Sequence, residues 1–237
     1  MGEHGGEWLW LTGASSHLGR LVASRWRSGG GRVLALGRHP AEESADAILT
    51  VDLSRPDATE AILRSWIAER PDHAVRGFVH AAGLIYASPA VDVTADERRQ
   101  TLAVNWEAAF VLARLAASRM EAGAMVFVSS VDVAHATPDG PAPVYAAAKA
   151  GLESLTRHLA VEWGPRGVRV NAVRLGPLKD GMAIQPTVQK RLQARSADHR
   201  LTSSEEAAEV VLWLLTRASR AIVGRVIEVD HGFGLPY

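Results

Sequence analysis

The chain has no cysteine. That excludes a disulfide scaffold, thiol catalysis and every cysteine-based metal centre. It has no excess of charge either, since 26 basic side chains face 26 acidic ones. Neither nucleic acid nor a membrane surface is therefore an expected partner, because both select a basic excess. Long hydrophobic runs are missing too. The longest stretch without Asp, Glu, Lys or Arg, residues 77–91, contains Gly83, Pro89 and His80 and falls short of the ~18 apolar residues of a membrane span. No basic segment followed by an apolar one opens the chain, so no signal peptide is expected and the expected location is cytoplasmic. Lysine and tyrosine are scarce: the lysines are Lys149, Lys179 and Lys190, and the tyrosines Tyr86, Tyr145 and Tyr237. A motif that needs both at a fixed spacing is correspondingly informative.

What remains is a 237-residue chain that is 47% hydrophobic, the composition of one folded domain. Short apolar runs at 8–11, 32–36, 47–51, 77–82, 124–130, 168–174 and 225–229 read as strands. They alternate with helical patterns at 18–26, 58–69, 94–120, 145–163 and 204–215. Pro56 stands where the first residue of a helix would, and Pro71 stops that helix. The apolar run at 124–130 has the character of a strand buried on both faces. This order predicts an α/β fold, a Rossmann-type doubly wound parallel sheet of about seven strands with helices on both faces. No linker or repeat divides residues 1–237 into two domains. The weakly patterned segment 179–202 is a candidate lid over the carboxyl ends of the strands.

The first strand runs into Thr12-Gly13-Ala14-Ser15-Ser16-His17-Leu18-Gly19 and then a helix. Glycines at such a turn let the backbone approach a pyrophosphate at the helix N-terminus. About 20 residues on, a dinucleotide fold places the residue that reads the ribose. Here that strand ends in Leu36-Gly37-Arg38-His39, with no acid for a 2′-hydroxyl and Arg38 placed for a 2′-phosphate. NADP(H) is expected over NAD(H). Asp52, followed by Leu53, is placed to accept from the adenine amino group or to cap the turn before Pro56. Tyr145 and Lys149 are four apart on one predicted helix and share a face. A nearby ammonium favours a phenolate, so this pair suits proton transfer to or from a carbonyl oxygen. Ser130, ending the central strand, is positioned to donate to that oxygen. Asn105 interrupts a long helical pattern that Asn does little to support.

Taken in order, TGASSHLG (12–19), HAAG (80–83), Asn105 in VNW, SSV (129–131), YAAAK (145–149), GVRVNAV (167–173) and the tail at 229–233 resemble the short-chain dehydrogenase/reductase family, in its single-domain, ketoreductase-like branch. The resemblance spans essentially the whole chain. It implies that Tyr145 is the acid/base, Ser130 the donor to the substrate oxygen, Lys149 the holder of the nicotinamide ribose and Asn105 the support of a water relay. It also implies a cofactor site of Gly13, Ser15, Ser16, His17, Leu18, Gly19, Arg38, Asp52, Leu53, Ala81, Ala82, Gly83, Tyr145, Lys149, Gly176, Pro177 and Leu178. Ser129 is the less expected of the two serines. The family builds dimers or tetramers, so a homo-oligomer is expected.

The Tyr-x3-Lys spacing resembles carbonyl reductases and alcohol dehydrogenases. Enoyl reductases resemble Tyr-x6-Lys, and the seventh residue after Tyr145 is Leu152. The expected function is thus NADP(H)-dependent interconversion of a ketone and a secondary alcohol on a small or medium organic substrate, in a biosynthetic setting. Its walls would be residues 84–91, 131–144 and 179–202, contributing Ile85, Tyr86, Met182, Ile184 and Pro186, with few fixed charges. Three positions depart from the family: His17 replaces a glycine facing the diphosphate, Leu175 a proline and His231 a glycine. His17 and the altered Leu175-Gly176 turn motivate the alternative of a diverged nucleotide-binding member with a non-redox or sensor role. His135, His158 and His199 lack metal-ligand spacing, so no metal is expected. Trp66, Trp106, Trp163 and Trp213 are expected in the core.

Overall fold

The computed structural model describes residues 6–39, 43, 45–70, 73–136, 140–181 and 186–235. The strands are β1 (Trp8–Thr12), β2 (Arg32–Gly37), β3 (Ala47–Thr50), β4 (Val75–His80), β5 (Gly123–Ser130), β6 (Val168–Leu175) and β7 (Val226–Val229). All neighbours pair in parallel, in the order β3-β2-β1-β4-β5-β6-β7. The order reverses beside β1, so a crevice opens beyond the carboxyl ends of β1 and β4, where such sheets bind ligands.

The helices are α1 (His17–Ser28), α2 (Pro56–Ala68), α3 (Ala95–Leu102), α4 (Ala108–Ala117), α5 (Pro143–Trp163), α6 (Pro186–Arg195) and α7 (Ser204–Leu215). Successive strand side chains point to opposite faces, and both faces are apolar. One face packs Trp10, Leu34, Phe78, Met125 and Phe127 under α2, α4 and α5. The other packs Leu9, Leu11, Val33, Val79 and Val126 under α1 and α7. Pro56 and Pro143 stand in the first turns of α2 and α5, where a missing N–H costs nothing. Capping boxes start α3 (Thr94 with Glu97) and α7 (Ser203 with Glu206).

Three sequence expectations need correction. The helix expected over 94–120 is two helices joined by a π-helical turn, Ala103–Glu107, in which the Ala108 N–H reaches back to the Ala103 carbonyl. The strand expected at 77–82 starts at Val75 and stops at His80, leaving Ala81 and Ala82 outside the ladder. Trp66 and Trp163 are in the core, but Trp106 and Trp213 are 37% and 41% exposed. Trp106 instead stacks on Phe110 at 6.4 Å along the outer face of α4. Met182 and Ile184 lie outside the described residues, as does the side chain of Pro186.

Candidate active site

The turn between β1 and α1 is held by one serine. The Ser16 hydroxyl donates to the Gly13 carbonyl (2.8 Å) and accepts from the Gly19 N–H (3.0 Å). Gly13 has φ of 75°, and a β-carbon there would lie 2.7 Å from the Ala81 carbonyl carbon. A β-carbon on Gly19 would lie 2.1 Å from the Gly13 oxygen. The two glycines therefore bring α1 and the 81–82 segment against the turn. The N–H groups of His17 and Leu18 open α1, where backbone donors have no intrahelical partner and favour an anion.

At the end of β2, nothing lies within 4 Å of the place a β-carbon on Gly37 would take. Arg38 beside it is exposed, and its charge, with that of Arg55, helps hold the Asp52 carboxyl below its usual range, after the two hydrogen bonds from Ser54. Asp52 Oδ1 takes the Ser54 N–H (3.0 Å) and hydroxyl (2.8 Å), so Asp52 does cap the turn before Pro56. Donors at α1, open space at Gly37 and an exposed guanidinium fit a dinucleotide. His17 meets that crevice from the side: its Nε2 lies 3.4 Å from both Asp180 and Glu205. The ring thus links the turn to the segment after β6 and to α7. These three side chains also make a group of potential metal ligands within 4.8 Å of one another, which the reading of His135, His158 and His199 overlooked.

Beneath the crevice runs a buried chain that the sequence reading did not single out. The His80 Nε2–H donates to the Val104 carbonyl (3.1 Å), inside the π-helical turn. Its Nδ1 then accepts from the Thr12 hydroxyl (3.0 Å), which itself accepts from the Ala82 N–H (3.2 Å). Burial first, and Lys149 second, push the His80 pKa down to about 3, so the ring is neutral and the tautomer follows from its partners. Asn105, fully buried, accepts from the Leu84 N–H (3.3 Å) and donates to the carbonyls of Leu84 (2.7 Å) and Thr101 (2.8 Å). Its side chain braces the Leu84 backbone. Gly83 sits between Asn105 and Lys149: a β-carbon there would stand 3.4 Å from Asn105 Oδ1 and 3.9 Å from Lys149 Nζ.

Tyr145 and Lys149 share one face of α5. The Lys149 ammonium is 5.5 Å from the Tyr145 ring centroid and donates to the Val128 carbonyl (2.8 Å). Burial lowers its pKa to about 8. The Tyr145 phenol is pushed up to about 12, first by burial and then by the Asp132 carboxylate, with the Ser130 hydroxyl pulling the other way. The direction is opposite to the one expected from Lys149 alone. Ser129 points away to Glu153 (2.8 Å), which Arg174 grips at 2.9 and 2.7 Å. Ser130 points to the Tyr145 side and donates to Asp132 Oδ2 (2.8 Å). The expectation of few fixed charges in the 131–144 wall overlooked Asp132.

Beyond β6, the Gly176 N–H donates to the Val229 carbonyl (3.0 Å). Leu178 bridges to Thr202, the Lys179 N–H donates to the Thr202 carbonyl (2.9 Å), and Asp180 accepts from the Ser204 N–H and hydroxyl (3.1 and 3.0 Å). His231, in a left-handed conformation (φ 54°), pairs with Asp198 at 2.7 Å and with Glu206 at 3.3 Å. The segment expected to be a lid is thus tied down at both ends and carries α6.

A family profile described as "Enoyl-(Acyl carrier protein) reductase" matches residues 13–234. A tropinone reductase homolog of Arabidopsis thaliana is 28% identical over 94% of this chain and 90% of its own. The L-xylulose reductase of Bos taurus is 28% identical over 94% of each chain. A solved structure from Thermus thermophilus superimposes with a TM-score of 0.86 at 30% identity, covering 95% of this chain and 97% of that one. No helix among the described residues is long and apolar enough to cross a membrane. The chain belongs to the short-chain dehydrogenase/reductase family, oxidoreductases that use a nicotinamide cofactor on alcohol and ketone substrates.

Proposed function

We propose that this protein is an NADP(H)-dependent ketoreductase, converting a ketone to a secondary alcohol in one domain with residues 179–202 as a lid. The observation that carries the reading is the meeting of Tyr145, Ser130 and Lys149 at the carboxyl end of β5, around one place for a carbonyl oxygen. When bound, the reduced nicotinamide supplies the hydride. Tyr145, with its pKa pushed up to about 12, rests protonated at neutral pH and gives its proton to the carbonyl oxygen. The Ser130 hydroxyl turns to the same oxygen and stabilises its growing charge. Lys149 holds the ribose hydroxyls. Asn105 fixes the Leu84 backbone beside it.

The resting phenol holds the proton that reduction consumes, and the same oxygen takes it back in oxidation. Of the relatives named above, the Bos taurus protein is an L-xylulose reductase and the Arabidopsis protein is named as a homolog of a tropinone reductase, which supports the direction of reduction. Enoyl reduction, the chemistry in the family description, is the second reading. Against it, Leu152 stands where Tyr-x6-Lys would place the lysine, and it is fully buried. Arg38 supports NADP(H): it is an exposed cation at the end of β2, and residues 36–39 include no acid to take a 2′-hydroxyl. The outward Trp106–Phe110 stack on α4 supports a homo-oligomer through that helix.

Titration of the purified protein with NADPH and NADH, followed by nicotinamide fluorescence, tests the cofactor reading. NADPH binds more tightly, and Arg38→Ala removes the difference. Binding of neither nucleotide, reduced or oxidised, would favour the non-redox alternative that His17 motivates.

A further inference from the structure

Asp132 is a carboxylate at the point of chemistry that the reaction itself does not need. Its Oδ2 lies 2.8 Å from the Ser130 hydroxyl oxygen, and its own N–H lies 3.3 Å from the same oxygen. It is half-buried, and among the described residues Ser130 is the only side chain that donates to it. The contrast with Asp230 is instructive: both oxygens of Asp230 are taken by backbone N–H groups, from Gly232 and Gly234, at 2.9 Å each. Asp132 has an oxygen to spare.

A serine hydroxyl has one proton. Here that proton goes to Asp132, so the donor a substrate carbonyl requires is already engaged. A plain ketone would have to take it and leave a partly buried carboxylate short of a donor, which is unfavourable. A ketone with a donor group on the next carbon avoids that conflict. In O=C–C–O–H the two oxygens are about as far apart as a hydrogen-bonded pair, the separation of Ser130 Oγ and Asp132 Oδ2. The carbonyl oxygen then takes the proton of Ser130 while the neighbouring group donates to Asp132.

We propose that Asp132 is the specificity-determining residue of this site, selecting carbonyl substrates that carry a hydrogen-bond donor, a hydroxyl or an ammonium, on the carbon adjacent to the carbonyl. The proposal rests on the oxidoreductase reading above.

Three ketones of equal heavy-atom count test it: butanone, hydroxyacetone and aminoacetone, which place CH3, OH and NH3+ at that carbon. With NADPH, wild-type kcat/KM for hydroxyacetone or aminoacetone exceeds that for butanone by on the order of 10- to 100-fold, the worth of a hydrogen bond to a charged group. Asp132→Asn and Asp132→Ala bring the ratio toward one. A larger value for hydroxyacetone than for aminoacetone assigns the preference to a hydroxyl, and the reverse to an ammonium. Wild-type kcat/KM for butanone equal to or above both others overturns the proposal while leaving the ketoreductase reading in place, and so does a ratio unchanged in either variant. Turnover of none of the three removes that reading and the proposal with it.

Discussion

The two ends of the sheet each bury a histidine, and they do so to different effect. Near the amino ends, His73 packs against Trp8 and Trp66 with ring centroids at 4.3 and 4.5 Å, and its Nε2 accepts from the Trp10 indole at 2.9 Å. Burial, then Arg119, Arg70 and Arg32, hold its pKa down to about 4. Near the carboxyl ends, His80 is held near 3 by burial and Lys149, and its hydrogen-bond chain runs into residues that face the crevice. The first cluster is held by its own packing: the Trp10 indole donates to His73, and the Arg70 guanidinium lies 4.6 Å from the Trp66 ring centroid. The second is left with capacity, in the protonated phenol of Tyr145, the ammonium of Lys149 and the spare oxygen of Asp132. A displaced pKa therefore does not mark a site by itself. What separates the two is whether neighbouring groups still have donors and acceptors to offer.

The comparison can be broken at either end. The largest effect is expected from Trp10→Ala, which opens a cavity in the fully buried core and should cost about 3–5 kcal/mol of stability. Denaturant unfolding reads the loss, and cofactor affinity of the folded fraction stays unchanged. Gly37→Ala gives the mirror image. Its β-carbon meets no protein atom, so the midpoint of unfolding holds, while NADPH affinity drops about tenfold as the methyl enters the ribose site (about 1.4 kcal/mol). An equal loss of stability in Gly37→Ala would dissolve the distinction.

A smaller effect comes from pH. His73 is held near 4 against an ordinary 6.5, so between those values the unfolded chain binds the extra proton. Stability is complete above about pH 6.5 and falls as pH drops toward 4, by up to about 1.4 kcal/mol per unit for such a group. His80 extends the fall toward pH 3. His73→Gln, which keeps an acceptor for Trp10, flattens the slope by about one proton in unfolding measured from pH 7 to 4. The smallest effect is expected from His17→Gly. The paired acids are partly exposed, so releasing them leaves stability nearly unchanged, read as an unfolding midpoint close to that of the wild type.

Much of this was legible in the sequence, for identifiable reasons. Seven parallel strands follow from apolar runs too continuous for a half-exposed sheet, and the glycine turn and Tyr145–Lys149 follow from local spacing. The π-helical turn was not legible, because one displaced backbone bond leaves no mark on composition; only Asn105 in mid-helix hinted at it. The exposed faces of Trp106 and Trp213 were missed because helical periodicity does not say which helix face a neighbour covers. Asp132 was missed because residues 131–144 were read as a substrate wall with few fixed charges, when its contact with Ser130 places it at the chemistry. His17 with Asp180 and Glu205 joins three segments distant in the chain, beyond any local pattern.

The central claim is that the carboxyl end of the sheet is a redox site run by Tyr145. The most direct test gives wild type and Tyr145→Phe the same NADPH and hydroxyacetone and follows both nicotinamide fluorescence on binding and NADPH oxidation. The account predicts comparable NADPH binding in the two proteins, with turnover in the variant reduced on the order of 10²- to 10⁴-fold. Equal rates of NADPH oxidation in wild type and variant would contradict it.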